Sequence, residues 1–146
     1  MKVSRASLND MASILEYSRR AFAKSVTYQA TGYNEVIWRN TLKAAFADPT
    51  MAVFVSRVES RITGLLVGMR MPMPWSAGFC ASDLVFVADR GGRALLRAFV
   101  DWSRQHKVRR IDMGVSDAIS KDPAMDRLFK SVGFSKAGGV YFRIEV

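Results

Sequence analysis

The segment from Asp83 to Ser116 constrains the fold of this chain more than any other part of it. An apolar run rich in β-forming residues, Asp83 to Val87, precedes the Gly91-Gly92 pair, and apolar residues then recur at helical spacing from Arg93 onward. Alternation of apolar and polar residues from Arg109 to Ser116 predicts a second strand. Because a strand, a crossover helix and a strand form a parallel pair in most chains, the segment predicts a βαβ unit.

The glycine turn of this unit predicts an anion site at the start of the helix. The first amides of a helix lack intrahelical partners, and the helix dipole adds partial positive charge there. Arg90, Arg93 and Arg97 surround the turn, and residues 90 to 110 hold seven Lys or Arg against one acid. A phosphate or pyrophosphate would suit this place. The alternative is a tight turn that only reverses the chain, with the arginines on a solvated face.

Length and composition bound the class of protein. A chain of 146 residues with 49% hydrophobic and 24% charged residues is typical of one globular domain. The sequence has no apolar run long enough to span a membrane and no secretion signal at its start, so we expect a cytoplasmic protein without membrane contact. The net charge of +9 favours acidic partners, which include a nucleotide-like ligand, nucleic acid or an acidic protein. Cys80 has no metal-ligating companions, so we expect no metal site, and it is either a reactive thiol or a buried small hydrophobe.

The remaining elements extend the βαβ unit into a larger sheet. Ser25 to Tyr33 lacks periodicity and predicts a loop, either facing a substrate or serving as a plain connection. The order β-α-α-β-β-β-α-β-α-β predicts an α/β domain over residues 1–146, with a mixed, mostly antiparallel sheet, a parallel central pair and helices on both faces. The other predicted strands are Lys2–Ala6, Met51–Val58, Arg61–Met71 and Val140–Val146, and the other helices are Leu8–Lys24, one that follows Asn34 and ends at Asp48-Pro49, and one that follows Asp122.

These residues resemble the GCN5-related N-acetyltransferase (GNAT) family over nearly the whole chain. The likeness is strongest from Asp83 to Phe99, which resembles the family's acetyl-CoA strand, pyrophosphate turn and helix, and from Asp122 to Phe134, which resembles its late helix and Gly-Phe ending. In detail the chain looks most like GNAT-like proteins encoded by tailed bacteriophages. The resemblance implies a single GNAT-like domain that transfers an acetyl group from acetyl-CoA to an amine.

The resemblance also implies a set of cofactor-binding residues. The pantetheine arm of the cofactor would pair with the strand at Phe86 and Val87, and its pyrophosphate would lie on the turn from Arg90 to Ala94. This set comprises Phe86, Val87, Arg90, Gly91, Gly92, Arg93 and Ala94. In the family's turn pattern the first position is Arg or Gln, whereas this chain has Asp89 there.

Two catalytic residues follow from the resemblance. Asp83 matches the family's general base, and burial beside apolar residues would raise its pKa toward a useful value. It would equally suit an aspartate satisfied by backbone amides at a strand start. The family's proton-donating tyrosine falls at Phe129, which has no proton to give, so Tyr141 is the substitute candidate. A buried core tyrosine is the alternative for Tyr141.

The sequence leaves several partners and functions open. The acceptor amine is a small molecule or a protein, and a homodimer is possible. A catalytically weak or inactive GNAT-like protein that acts through protein contacts, as a virion component or a host-directed factor, is the alternative to the enzyme. Such a protein would lie in the host cytoplasm or in the virion. Binding of nucleic acid is less favoured, because the basic surface carries no helix-turn-helix, RNA-recognition or zinc pattern.

Overall fold

The computed structural model describes residues 1–114, 122–138 and 143–145 of the chain. In this part of the chain, strands and helices follow one another in the predicted order through the late helix, apart from one additional short helix between the first two predicted helices. The strands are β1 (Lys2–Arg5), β2 (Met51–Val58), β3 (Arg61–Pro72), β4 (Phe79–Ala88) and β5 (Val108–Asp112). The helices are a 3-10 turn (Leu8–Asp10), α1 (Met11–Ala23), α2 (Val26–Thr31), α3 (Glu35–Ala47), α4 (Gly92–Gln105) and α5 (Pro123–Lys130).

The strands form one mixed sheet in the order β1-β2-β3-β4-β5. Every neighbouring pair is antiparallel except β4 and β5, which are parallel and are joined by α4. The hairpin between β2 and β3 turns at Glu59, which takes a positive φ of 56°. The α/β class, the mixed sheet and the parallel pair that the sequence predicts are therefore confirmed.

Two hydrophobic cores cover the two faces of the sheet. Side chains of a strand alternate between faces, so Leu65 packs with α1 and α3, whereas Leu66 packs with α4. Ile14 and Leu42 are fully buried on the first face, and Phe99 is fully buried on the second. Helices on both faces are thus confirmed, and the amphipathic stripe of α4 is what anchors the turn that precedes it.

A β-bulge interrupts β4 beside Asp83. Val67 pairs with Val85, but the next residue of β3, Gly68, pairs with Asp83, so Leu84 is an extra residue in β4. A Cβ on Gly68 would overlap the ring of Phe99, which confirms the close approach that a glycine in a strand indicates. The bulge changes the direction of β4 just where the sheet begins to open.

The segment from Ser25 to Tyr33 is not the loop that the sequence predicts, because α2 occupies Val26–Thr31. The helix is only six residues long, too short to show a helical period. Tertiary contacts hold it, since the ring of Tyr28 packs against that of Phe22 in α1 with centroids 4.3 Å apart. Gly32 ends the helix with a φ of +79°.

The bounds of three strands also differ from the predictions. β4 begins at Phe79 rather than at Asp83, since residues 79–82 pair with both β3 and β5. β5 ends at Asp112, and the next two residues lie outside the strand. The predicted strand Val140–Val146 lies mostly outside the described residues, and its described part, 143–145, joins no strand of the described sheet. None of the described helices is both long and apolar enough to cross a membrane.

Candidate active site

The sheet opens along the second half of β4. The parallel pairing with β5 runs from Phe79 to Ser82, which lies opposite Asp112. Beyond Ser82, no described strand lies on the β5 side of β4, so no described residue pairs with this edge from Leu84 to Ala88. An unpaired edge offers a row of backbone donors and acceptors to an extended ligand.

The ladder between β3 and β4 determines which peptide groups reach this open edge. The Asp89 amide donates to the Thr63 carbonyl at 2.8 Å, which sets the alternation of bonded and non-bonded pairs along the ladder. The peptide groups of Val87 therefore face Leu65 in β3, whereas the N–H and C=O of Phe86 face the open edge. Of the two strand residues assigned to the cofactor, Phe86 is the one that presents its backbone.

Hydrogen bonds to β2 and β3 hold the glycine turn that follows β4 in place. The amides of Asp89 and Arg90 donate to the Thr63 carbonyl at 2.8 and 3.1 Å. The hydroxyl of fully buried Ser56 donates to the Arg90 carbonyl at 2.8 Å. Gly91 then takes a left-handed φ of +85°, and a Cβ there would lie 2.6 Å from the Ser56 Cβ. Only glycine fits this position, so the chain enters α4 at one defined angle.

Four amides at the start of α4 remain open. Within the described residues, the N–H groups of Gly91, Gly92, Arg93 and Ala94 donate to no acceptor, and no side chain caps the helix. The first turn of α4 contains no acid. Arg90, by contrast, uses its amide internally and contributes a guanidinium.

Fixed positive charge surrounds these amides. Arg90, Arg93 and Arg97 are all exposed, and none of them forms an ion pair with a described residue. Asp89 also lies at the turn, where its amide contacts the Tyr17 hydroxyl at 3.3 Å. Burial, and after it the Asp89 charge, raises the pKa of Tyr17 to about 12. The turn therefore has the donors and the charge that a phosphate group needs, with one carboxylate beside it.

Asp83 stands where β4 and β5 separate. Its Oδ1 accepts a hydrogen bond from the Gly114 amide at 3.0 Å. Burial raises the pKa of the Asp83 carboxyl above its ordinary value, and the bond from Gly114 partly offsets this rise. The carboxylate is therefore bonded to a backbone amide and has a raised pKa, while its role as a general base stays a prediction.

The residue at the position of the family's proton-donating tyrosine, Phe129, is a packed aromatic side chain. Phe129 in α5 meets Phe86 edge-on, with centroids 6.2 Å apart, and meets Phe134 in the same way at 5.4 Å. It therefore covers the strand residue whose backbone faces the open edge. Tyr141, the substitute candidate, lies outside the described residues.

A cleft lies on the opposite face of β4 from α4, and four of its lining residues belong to the segment Ser25 to Tyr33, for which the sequence leaves a substrate-facing role open, although the sequence does not predict the aromatic cluster of the cleft. It has a volume of about 380 Å³, and Val85 of β4 and residues of α1, α2 and α3 form its walls. Phe22 is at the centre of an aromatic cluster there, with ring centroids 4.3 Å from Tyr28, 5.4 Å from Tyr33 and 5.6 Å from Trp38. The only sequence signal is the five-residue spacing of Tyr28, Tyr33 and Trp38, which matches neither a helix nor a strand.

The cleft adjoins Asp83. Burial, and after it the charge of Asp83, raises the pKa of the Tyr28 hydroxyl, so the carboxylate lies within electrostatic reach of this wall. Leu84, the extra residue of the bulge, separates Asp83 from Val85, which lines the cleft. The carboxylate therefore lies where β4 and β5 separate, within electrostatic reach of the Tyr28 wall.

Cys80, left open by the sequence, and His106, the one histidine, both have structural explanations. Cys80 is buried, which confirms the small-hydrophobe interpretation, and it is a free thiol. His106 caps the end of α4, where its ring Nδ1 lies 2.7 Å from the Trp102 carbonyl oxygen. Among the described residues, no cluster of His, Cys, Asp or Glu could hold a metal ion.

Comparison with solved structures shows that several proteins described as acetyltransferases share this architecture. The chain matches an aminoglycoside acetyltransferase from an uncultured soil metagenomic sample, with a TM-score of 0.75 and 17% identity over 99% of this chain and 95% of that one. It matches a ribosomal-protein-alanine N-acetyltransferase from Brucella melitensis at 0.70 and 10% identity, over 99% and 100% of the two chains. A transcriptional regulator from Bacillus halodurans matches at 0.76 and 15%, over 98% and 99%.

These likenesses establish the fold, which is that of the GNAT acetyltransferases. No protein-family model matches the sequence, and no curated protein is similar to it in sequence. Because one structure of the same fold is described as a transcriptional regulator, the fold does not by itself decide the activity. The activity has to be argued from the open edge, the turn and Asp83.

Proposed function

We propose that this protein is an N-acetyltransferase that moves an acetyl group from acetyl-CoA to an amine. The observation that carries the proposal is two neighbouring sets of backbone groups that no described residue uses. The first lies on the open edge of β4 at Phe86, and the second is the amides of Gly91 to Ala94; between them, the amides of Asp89 and Arg90 donate to the Thr63 carbonyl. The edge suits an amide-containing arm, and the turn suits a pyrophosphate.

The residues of the turn fit the cofactor on steric grounds as well. The left-handed conformation of Gly91 sets the direction of the amides of residues 91 to 94. The hydrogen bond from Ser56 fixes the preceding carbonyl, that of Arg90. Arg93 and Arg97 lie on successive turns of α4 with no partner among the described residues, so their guanidinium groups are available for phosphate oxygens. When bound, acetyl-CoA supplies an acetyl group activated as a thioester.

Asp83 is the proposed general base. An acceptor ammonium gives one proton to the Asp83 carboxylate, directly or through a water, and the freed amine attacks the acetyl carbon. The nitrogen–carbon bond forms, the carbon–sulfur bond breaks with its electron pair on sulfur, and the second proton lost by nitrogen neutralises the thiolate. The raised pKa of Asp83 makes it a better match for proton transfer near neutral pH than an exposed aspartate.

The missing hydroxyl at Phe129 does not exclude turnover. A free thiol titrates near about 8.5, so a thiolate can leave before it gains a proton. Tyr141 remains a proposal for this proton transfer. Phe129 instead packs edge-on against the ring of Phe86.

A second candidate is a GNAT-like protein that binds partners without catalysis. Phe129 in place of a proton donor favours it, as does the carboxylate of Asp89 beside the anion site. This candidate includes the virion or host-directed role that the phage-like residues imply. It predicts no release of CoA with any amine.

A calorimetric titration with acetyl-CoA separates the two candidates. We expect saturable binding to the full chain, followed by release of CoA when amines are added. Arg93→Ala should weaken cofactor binding about threefold to tenfold, because a charge-assisted phosphate contact contributes about 1 kcal/mol or slightly more. Arg104→Ala is the matched control, since Arg104 is equally exposed but lies at the other end of α4. Absence of binding at millimolar acetyl-CoA would remove the proposal.

A further inference from the structure

We propose that the acceptor is a monocationic amine carried on an apolar or aromatic body, and that this body lies in the cleft between α2, α3 and β4. The inference rests on the proposed acetyl transfer, because it takes Asp83 as the group that receives the amine proton. It adds the chemical class of the acceptor, which neither the fold nor its solved relatives determine.

The walls of the cleft are aromatic and aliphatic. Its lining includes Phe22, Tyr28, Trp38, Ile37 and Val85. The volume of about 380 Å³ lies within the range of small-ligand sites. A ring or alkyl chain would replace water against these side chains, and that burial stabilises by about 0.8 kcal/mol for each methylene group.

Most polar groups of the cleft are already engaged. The Trp38 Nε1 donates to Ser18 Oγ at 3.0 Å, and the Thr41 hydroxyl donates to the Ile37 carbonyl at 3.0 Å. Asn34 Oδ1 accepts from the two amides of residues 36 and 37 that begin α3. A sugar or another polyhydroxylated acceptor would therefore lose hydrogen bonds to water and find few replacements in this cleft.

The charges around the cleft favour a single ammonium. None of its described lining residues is charged. The charges of Glu35, Arg19 and Arg39 all reach Tyr33, and Glu35 is already paired with Arg19 at 2.8 Å, which leaves Arg39 as the excess charge beside the cleft. A polycation would meet this excess positive charge and no unpaired carboxylate of the group, whereas a monocation needs only Asp83.

The mouth of the cleft is itself apolar. Ile37 lines it and is 65% exposed, although a residue of this kind is usually buried. Val36, its neighbour in the first turn of α3, is 68% exposed but does not line the cleft. The two residues therefore form a matched pair, in which only one should contact an acceptor.

The first test measures binding of amines alone to the full chain, by calorimetry and by intrinsic tryptophan fluorescence, to which Trp38 contributes along with Trp75 and Trp102. The probes are butylamine, hexylamine, 2-phenylethylamine, ethanolamine and spermidine. We expect affinity to rise about threefold to fourfold for each added methylene, with 2-phenylethylamine above ethanolamine and spermidine. A flat series, or spermidine as the tightest ligand, would overturn the proposal.

The second test compares Ile37→Asn with Val36→Asn. The first should lower the affinity for hexylamine and 2-phenylethylamine about threefold or more, because it removes apolar surface without adding charge. The second should leave both affinities unchanged. Equal effects of the two variants would contradict the assignment of the cleft.

Failure of this inference can be told apart from failure of the proposed function. Acetyl-CoA binding and turnover without preference for apolar amines would reject the acceptor class and leave the transferase. Binding of apolar amines without any acetyl-CoA binding would reject the transferase and show that the cleft is a site of another kind.

Discussion

The turn before α4 and the cleft beside α3 are two halves of one proposed site, and they are built in opposite ways. The turn uses backbone amides, a left-handed glycine and exposed arginines, all within a few residues of one another. The cleft uses aromatic side chains of α1, α2 and α3 against a β4 valine. The turn is polar and suits the pyrophosphate of the proposed cofactor. The cleft is apolar and would select the acceptor amine by the shape of its apolar body. Asp83 lies where the two halves meet.

Because Asp83 serves both halves, its replacement should have the largest effect on activity. We expect Asp83→Asn to lower kcat/KM about a hundredfold to ten-thousandfold, the usual contribution of a general base. The asparagine can still accept the bond from Gly114, so acetyl-CoA binding should not change. Asp101→Asn, an exposed acid on α4, is the control. An unchanged kcat/KM in Asp83→Asn would rule out this base.

The pH dependence of the same variant provides a second readout. Since burial raises the pKa of Asp83, kcat/KM should rise with pH through that raised value in the native chain and lose this step in Asp83→Asn.

Stability should respond to pH in the opposite direction. The folded state holds the Asp83 proton more tightly than the unfolded state, so this group lowers the free energy of unfolding as the pH rises from the unfolded pKa through the folded one. Asp83→Asn should therefore gain stability relative to the native chain at pH 7, and the gain should vanish in acid.

Replacement of Gly91 should weaken acetyl-CoA binding at the turn and leave amine binding in the cleft unchanged. Gly91→Ala would place a Cβ within 2.6 Å of the Ser56 Cβ, so the turn must shift. The amides of residues 91 to 94 would then no longer point at one phosphate position. We expect at least a tenfold loss of acetyl-CoA affinity in calorimetry, with amine binding unchanged. Gly133→Ala is the matched control, because Gly133 also has a positive φ, of 89°, but a Cβ added there would meet no described atom within 4 Å. It should cost about 1 kcal/mol of stability and no affinity. Equal losses of affinity would mean that backbone strain, and not the turn, is responsible.

The difference between the halves also explains what the sequence can predict. The βαβ unit and its turn follow from residues close together in the chain, because glycines and helical spacing encode local geometry. The aromatic cleft joins Phe22, Tyr28 and Trp38 from three helices, and one of those helices falls in a segment whose pattern predicts a loop. Its existence depends on packing that no local pattern encodes. The open edge of β4 follows only from the resemblance, since a break in pairing leaves no mark in the strand's own residues.

Two fully buried serines provide the smallest and sharpest test of how the polar half is held. The Ser56 hydroxyl donates to the Arg90 carbonyl at 2.8 Å, whereas the Ser103 hydroxyl in α4 has no partner among the described residues. Ser56→Ala should lower stability by about 1 kcal/mol, the usual net contribution of such a bond, and should weaken acetyl-CoA binding about twofold to fivefold. Thr63 limits the effect, because its hydroxyl also reaches the Arg90 carbonyl, at 3.4 Å. Ser103→Ala should leave affinity unchanged and stability unchanged or higher. If both variants bind acetyl-CoA like the native chain, the turn is positioned by Gly91 and the Thr63 carbonyl alone.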